Sequence, residues 1–123
     1  MSERKRVLVT GAAGYIGSGV CRRLLSAGFD VIGIDSLIYG ATGLLPLLVT
    51  PRFRFVQLDI REYSRLQEQL NQIRPFAVVH LAAIVGDPAC KKMPEVARQT
   101  NLAATKALFS AATENDSSRF IFA

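Results

Sequence analysis

Histidine and cysteine are scarce in this chain: of its 123 residues, one is histidine and two are cysteine. Cys21 falls in an expected helix and Cys90 in an expected loop, and no CxxC spacing occurs. That pattern excludes a zinc site and a disulfide framework, so no metal is expected. Reduced thiols make the cytoplasm the default location. Long apolar runs are missing too. The charged start Met1-Ser2-Glu3-Arg4-Lys5-Arg6 precedes an apolar run only a strand long, too short for a signal peptide. No stretch reaches membrane-spanning length without a breaker, so no membrane partner is expected. The formal net charge is +5, yet the basic residues are scattered as Arg4-Lys5-Arg6, Arg22-Arg23 and Lys91-Lys92. Without a long basic run or interleaved aromatic residues, a nucleic acid is not an expected partner. Mild positive charge suits an anionic small molecule equally well.

What the chain does have is apolar content. Half its residues are hydrophobic and 20% are charged, which excludes disorder and suits one packed domain of modest margin. Strand and helix signals alternate from the start. Arg6 to Thr10 is a short β-branched run ended by glycine, and reads as a buried strand. Ile16, Val20 and Leu24 recur every fourth residue, which places them on one helical face, with Gly28 as the stop. Asp30 to Ile34 is a second strand, ending at Asp35. The stretch 36–52 holds Gly40, Gly43, Pro46 and Pro51 and reads as a packed loop, with room for a short helix between the prolines. Phe53 to Leu58 is a third strand. Leu66, Leu70 and Ile73 mark a helix stopped before Pro75. Phe76 to Leu81 is a fourth strand. Pro94 opens a long helix to about Thr113, and Arg119 to Ala123 begins a fifth strand. Repeated strand-helix-strand units with short connections imply right-handed crossovers and a parallel sheet covered on both faces. The expected fold is α/β, a Rossmann-type doubly wound sheet of order 3-2-1-4-5, truncated after the fifth strand. No repeat, low-complexity tract or linker divides residues 1–123.

Chemistry concentrates at the first turn, Gly11-Ala12-Ala13-Gly14-Tyr15-Ile16-Gly17. It lies between a strand and a helix, the setting that separates a phosphate-binding turn from a chance glycine pattern. Gly11 permits the tight turn. Gly14 has no side chain to keep phosphates from the backbone. Gly17 lets the helix lie close to the sheet. The helix start offers unpaired N–H groups and a positive dipole end to a pyrophosphate. The spacing is GxxGxxG, not GxGxxG. Asp35 ends the second strand eighteen positions after Gly17, where a carboxylate can accept from both ribose hydroxyls and repel a 2′-phosphate. The expected cofactor is therefore NAD, with NADP disfavoured. The alternative for Asp35 is a carboxylate capping its own loop.

These segments resemble the extended short-chain dehydrogenases/reductases, the NAD-dependent epimerase/dehydratase group. Thr10 to Gly17, TGAAGYIG, is similar to the family signature. Ile34 to Gly40, IDSLIYG, is similar to the ribose segment, which includes Asp35 and Ser36. Asp59-Ile60 resembles the pair after the third strand, where the carboxylate meets the adenine amino group. His80-Leu81-Ala82-Ala83 resembles the segment beside the nicotinamide ribose. Asn101 resembles a helix asparagine that supports the active site. As a set, the resemblance implies cofactor contacts from Gly11, Gly14, Tyr15, Ile16, Gly17, Asp35, Ser36, Asp59, Ile60, Leu81, Ala82, Ala83 and Asn101. Bland alternatives stand beside them: Asp59 as a helix cap, His80 as a satisfied strand-end histidine, Asn101 as a surface amide. The alanines at 103, 104, 107 and 111 form a face for close packing on the sheet, and the resemblance implies that this helix also joins a dimer-forming bundle. The loop Gly86-Asp87-Pro88-Ala89-Cys90 is either a substrate-side loop or a plain turn.

Some positions depart from the family pattern. Ser36 replaces a common asparagine, Val85 a lysine of galactose epimerases, and Ala104 a glycine. The family's acid/base pair is a tyrosine with a lysine four residues later. Here Tyr15, Tyr39 and Tyr63 are followed at that distance by Gly19, Gly43 and Gln67. The expectation is a catalytically incomplete fragment of an enzyme acting on a nucleotide sugar, or else a dinucleotide-binding module that senses without catalysis. The apolar fifth strand, with one side unpaired, predicts self-association.

Overall fold

The computed structural model describes residues 4–82 and 94–122. Five strands form one parallel sheet: β1 (Arg6–Thr10), β2 (Asp30–Asp35), β3 (Phe53–Gln57), β4 (Ala77–His80) and β5 (Arg119–Phe122). Their order across the sheet is β3-β2-β1-β4-β5, as expected. The helices are α1 (Tyr15–Ser26), α2 (Leu45–Leu48), α3 (Tyr63–Ile73), α4 (Pro94–Arg98) and α5 (Ala104–Glu114). The expectations for Ala83, Val85, the loop Gly86 to Cys90, Lys91 and Lys92 lie outside the described residues.

The strand period of two divides the core into two layers. Val7, Val9, Val31, Ala77 and Val79 face one side and pack with Cys21, Leu25, Leu44 and Leu47 of the α1 and α2 side. Leu8, Ile32, Ile34 and Val78 face the other and pack with Leu66, Leu70 and Ile73 of α3 and with Ala104, Leu108 and Ala111 of α5. A strand buried on both faces needs an unbroken apolar run, and β1 and β2 have one.

Helix α1 carries the expected repeat, but its innermost line runs through smaller residues. Ile16 is largely exposed, and Val20 and Leu24 are only half-buried, whereas Gly17, Ser18, Cys21 and Leu25 face the core. The four-residue repeat is right, but the helix start lies too close to the glycine turn for any side chain there. The small residues therefore take the inner line and rotate the apolar stripe outward. Burial of Cys21 pushes its thiol up to about 12, so it is packing rather than a nucleophile. Gly28 stops the helix as expected. Its φ is +97°, and the Phe29 N–H reaches back to the Leu24 carbonyl at 3.1 Å. Arg52 then ties α1 to the start of β3, donating to the Leu25 and Phe29 carbonyls at 2.7 and 2.9 Å.

The 36–52 stretch does contain the short helix, α2, preceded by a 3₁₀ turn at Thr42–Leu44. Leu44 and Leu47 anchor it in the core. The long helix from Pro94 is interrupted by a π-helical turn at Gln99–Ala103, which carries Asn101. Ala104 and Ala111 of the alanine set are buried, Ala107 is half-buried and Ala103 is exposed. On α5 the core-facing line runs through Ala104, Leu108, Ala111 and Ala112.

Candidate functional site

Gly11 to Gly17, Asp35, Ser36, Asp59 and Leu81-Ala82 lie at or just after the C-terminal ends of β1, β2, β3 and β4, and the strand order reverses between β1 and β4. The C-terminal edge is where open α/β sheets bind ligands. The chain leaves β1 at Thr10 and must enter α1 at Tyr15. Gly11 makes this possible with φ +74°, and a Cβ on it would lie 2.9 Å from backbone atoms of Leu81 and Ala82. A Cβ on Gly17 would lie 1.9 Å from the Gly11 carbonyl oxygen. The fold itself therefore demands both glycines. Gly14 is different. Its φ is −73°, and a Cβ there would meet only the Gly11 oxygen, at 3.4 Å. Nothing in the packing requires Gly14 to be glycine.

Gly14 is also the N-cap of α1. No side chain caps this helix start and no acidic residue lies in its first turn. Tyr15 is 95% exposed and Ile16 67% exposed. The first N–H groups of α1 thus have no side-chain cap and lie at the positive end of the helix dipole. The turn beneath is rigidly held. Gly11 and Ala12 donate to the Ile34 carbonyl at 2.8 and 3.2 Å.

Asp35 does two jobs visible in the structure. One oxygen accepts from the Leu37 N–H at 2.7 Å, the self-capping contact expected as its alternative role. The other accepts from the Ala13 N–H at 3.0 Å, which joins the end of β2 to the glycine turn. A carboxylate has about four acceptor sites, so these two bonds leave capacity for a ribose. Leu37 adopts φ 66°, and Ser36 between them is half-buried.

Asp59 has a partner that the sequence reading missed. Its carboxylate accepts from the Arg61 backbone N–H at 2.9 Å and from the Arg61 guanidinium through both Nε and Nη2. The guanidinium hydrogen-bonded to it, opposed only in part by burial, holds the Asp59 carboxyl below the usual carboxylate range. The spacing D-x-R was the available signal. Ile60 is buried in the α3-side core.

His80 is the satisfied strand-end histidine. It is 1% exposed, bonded on Nδ1 to Thr10 and on Nε2 to Thr105 at 2.7 and 2.9 Å, and stacked on Phe122 at 5.6 Å. Burial pushes the imidazole down to about 4. Leu81 and Ala82 follow it, half-buried, with their N–H groups on the Thr10 hydroxyl. Asn101 is exposed, and its carbonyl accepts from Thr105 at 3.3 Å. A cavity of about 460 Å³ lies at the opposite edge of the sheet, among Arg4, Arg6, Asp30, Arg52, Arg54 and Ile73. The glycine turn does not line it. Among the described residues no cluster of side chains could hold a metal ion, and no helix is long and apolar enough to cross a membrane.

Comparison with known proteins agrees with this geometry. The NAD dependent epimerase/dehydratase family model matches residues 7–123. A UDP-glucose 4-epimerase of Lacticaseibacillus casei is 42% identical over 88 residues, covering 72% of this chain and 25% of that protein. A UDP-glucose 4-epimerase of Klebsiella pneumoniae is 34% identical over 122 residues, covering 95% of this chain and 86% of that sequence. The solved structure of the Bordetella bronchiseptica enzyme WbmH in complex with NAD+ superposes with a TM-score of 0.84 at 31% identity, covering 96% of this chain and 38% of the other. The chain spans 25%, 24% and 23% of the length of the first three curated relatives.

Proposed function

The chain belongs to the NAD dependent epimerase/dehydratase family, and from that premise we propose that it is the dinucleotide-binding portion of an enzyme acting on a nucleotide sugar, with NAD as cofactor. The observation that carries this reading is Gly14. The fold accounts for Gly11 and Gly17 but not for Gly14, whose missing side chain keeps a lane open to the bare N–H groups of α1. A pyrophosphate is the anion that such a lane fits. The N–H groups from residue 15 onward would bind it, with no basic side chain required. Asp35, fixed by Ala13 and Leu37, would accept from the ribose hydroxyls and exclude a 2′-phosphate. Asp59 would face the adenine amino group, Ser36 and Ile60 would flank the adenosine, and Leu81, Ala82, Ala83 and Asn101 would border the nicotinamide side. When bound, NAD supplies a hydride acceptor, and the chain's own share is to bind and orient it.

Titration of the folded chain with NAD(H) and NADP(H) tests this reading. NAD(H) binds more tightly on the proposal, and equal or tighter binding of NADP(H) overturns the role of Asp35. With no tyrosine followed by a lysine four residues on, these 123 residues by themselves are expected to turn over no nucleotide sugar, and reproducible epimerase or dehydratase activity from them would overturn that expectation.

A further inference from the structure

The hydrogen bonds around the single histidine have a fixed direction, and the direction assigns it a task. Thr10 Oγ1 lies 3.0 Å from both the Leu81 and the Ala82 backbone nitrogens. Those N–H groups can only donate, Leu81 sharing its proton with the Thr10 carbonyl at 3.2 Å, so the hydroxyl acts as acceptor toward both. Its own proton is then directed to His80 Nδ1, 2.7 Å away, as the bare acceptor. In the neutral ring the proton then sits on Nε2, 2.9 Å from Thr105 Oγ1. Thr105 has its own proton free for the Asn101 carbonyl, 3.3 Å away on the preceding turn. The other ring neighbours, Phe120 and Phe122, carry no charge, and burial keeps the imidazole neutral.

The chain of bonds starts at the N–H groups after β4, crosses the end of β1 and finishes in the π-helical turn Gln99–Ala103. A π turn is an uncommon distortion, found mostly at functional sites. The Thr105 hydroxyl, four residues on, donates to one of its carbonyls, and His80 orients that hydroxyl.

We propose that His80 is a positioning residue which, as the Nε2–H tautomer, locks the turn carrying Asn101 to the glycine-turn end of β1. The two sides of the dinucleotide shelf then move as one body. The role of the lock rests on the dinucleotide reading above, but its geometry does not.

The test uses the ¹⁵N-labelled 123-residue chain. With one histidine, long-range ¹H–¹⁵N spectra report a single ring. The expected result is the Nε2–H tautomer from pH 7 to pH 5. Thr105→Val removes the link while keeping the shape. Amide exchange at residues 101–103 should then rise roughly five- to tenfold, the loss of about one net hydrogen bond. Amides of Gly11 to Gly17 should not change, and Thr105→Ser should restore the parent rates. Added NAD should shift both the His80 ring and the Asn101 amide in the parent, but only the ring in Thr105→Val. An Nδ1–H tautomer, or unchanged exchange at 101–103 in the valine variant, overturns the proposal. If Thr105→Val does not fold, Thr105→Ala takes its place and the parent tautomer still decides. If NAD causes no shift in any chain while tautomer and exchange behave as stated, the lock stands and the dinucleotide reading fails.

Discussion

Mild acid is the perturbation that addresses the buried histidine most selectively. An unfolded histidine titrates near 6.5, whereas burial holds His80 at about 4 in the folded chain. The unfolded state therefore takes up its proton first as the pH falls. Stability declines below about pH 6.5 and levels off below about 4, for a total loss on the order of 3 kcal/mol. Between pH 7 and pH 5 the loss works out at about 2 kcal/mol. The chain has no second histidine to titrate in this window. Asp59, held low by Arg61, gives stability that is lost only at lower pH, as its carboxyl takes up a proton. For a domain of this size, 2 kcal/mol lowers the melting temperature by roughly 8 °C. Urea melts at pH 7, 6 and 5 measure the slope, with His80→Asn as the variant that should be flat. A parent equally stable at pH 7 and 5, or a variant with the parent's slope, would refute the assignment of a buried neutral ring.

Gly17→Ala should cost roughly 3 kcal/mol or more, because its Cβ would overlap the Gly11 carbonyl oxygen. Thermal melting checks it, and a variant as stable as the parent would show that the turn can yield. Self-association is expected at the outer strand β5, where Ile121 and Phe122 are more than half exposed beside an exposed Phe109. Sedimentation across a concentration and salt series should show dimers or larger species at micromolar protein, increasing with salt as the net positive charge is screened. Ile121→Lys should shift them toward monomer, and a parent that stays monomeric at high concentration and high salt would overturn this expectation.

The parts of this structure that were legible in the sequence are those set by local pattern. Strand alternation, the stop at Gly28 and the glycine turn each follow from a few neighbouring residues, and together they fix the strand order. The inner line of α1 shows where pattern stops. Ile16, Val20 and Leu24 have helical spacing, but which stripe turns inward depends on how near Gly17 comes to Gly11, a contact between two turns. The π turn at Gln99–Ala103 left no periodic trace, because one widened turn shifts the later apolar positions only slightly. The Asp59–Arg61 pair is local and was available as D-x-R. The Thr10–His80–Thr105 link was not, since its members are separated by 70 and 25 positions. Such links are visible only when β1, β4 and α5 have been brought together.

Calorimetric titration of NAD(H) into the parent and into Gly14→Val bears most directly on the dinucleotide reading. The valine fits the backbone at φ −73°, where its Cβ would meet only the Gly11 oxygen, at 3.4 Å. As a poorer N-cap it should cost about 1 kcal/mol of stability, so the variant should melt cooperatively a few degrees below the parent. Its side chain would fill the lane to the first N–H groups of α1. The expected result is binding by the parent and none by the folded variant. A folded Gly14→Val chain that binds NAD(H) as tightly as the parent would mean that the glycine turn is structural only and that no pyrophosphate lies over it.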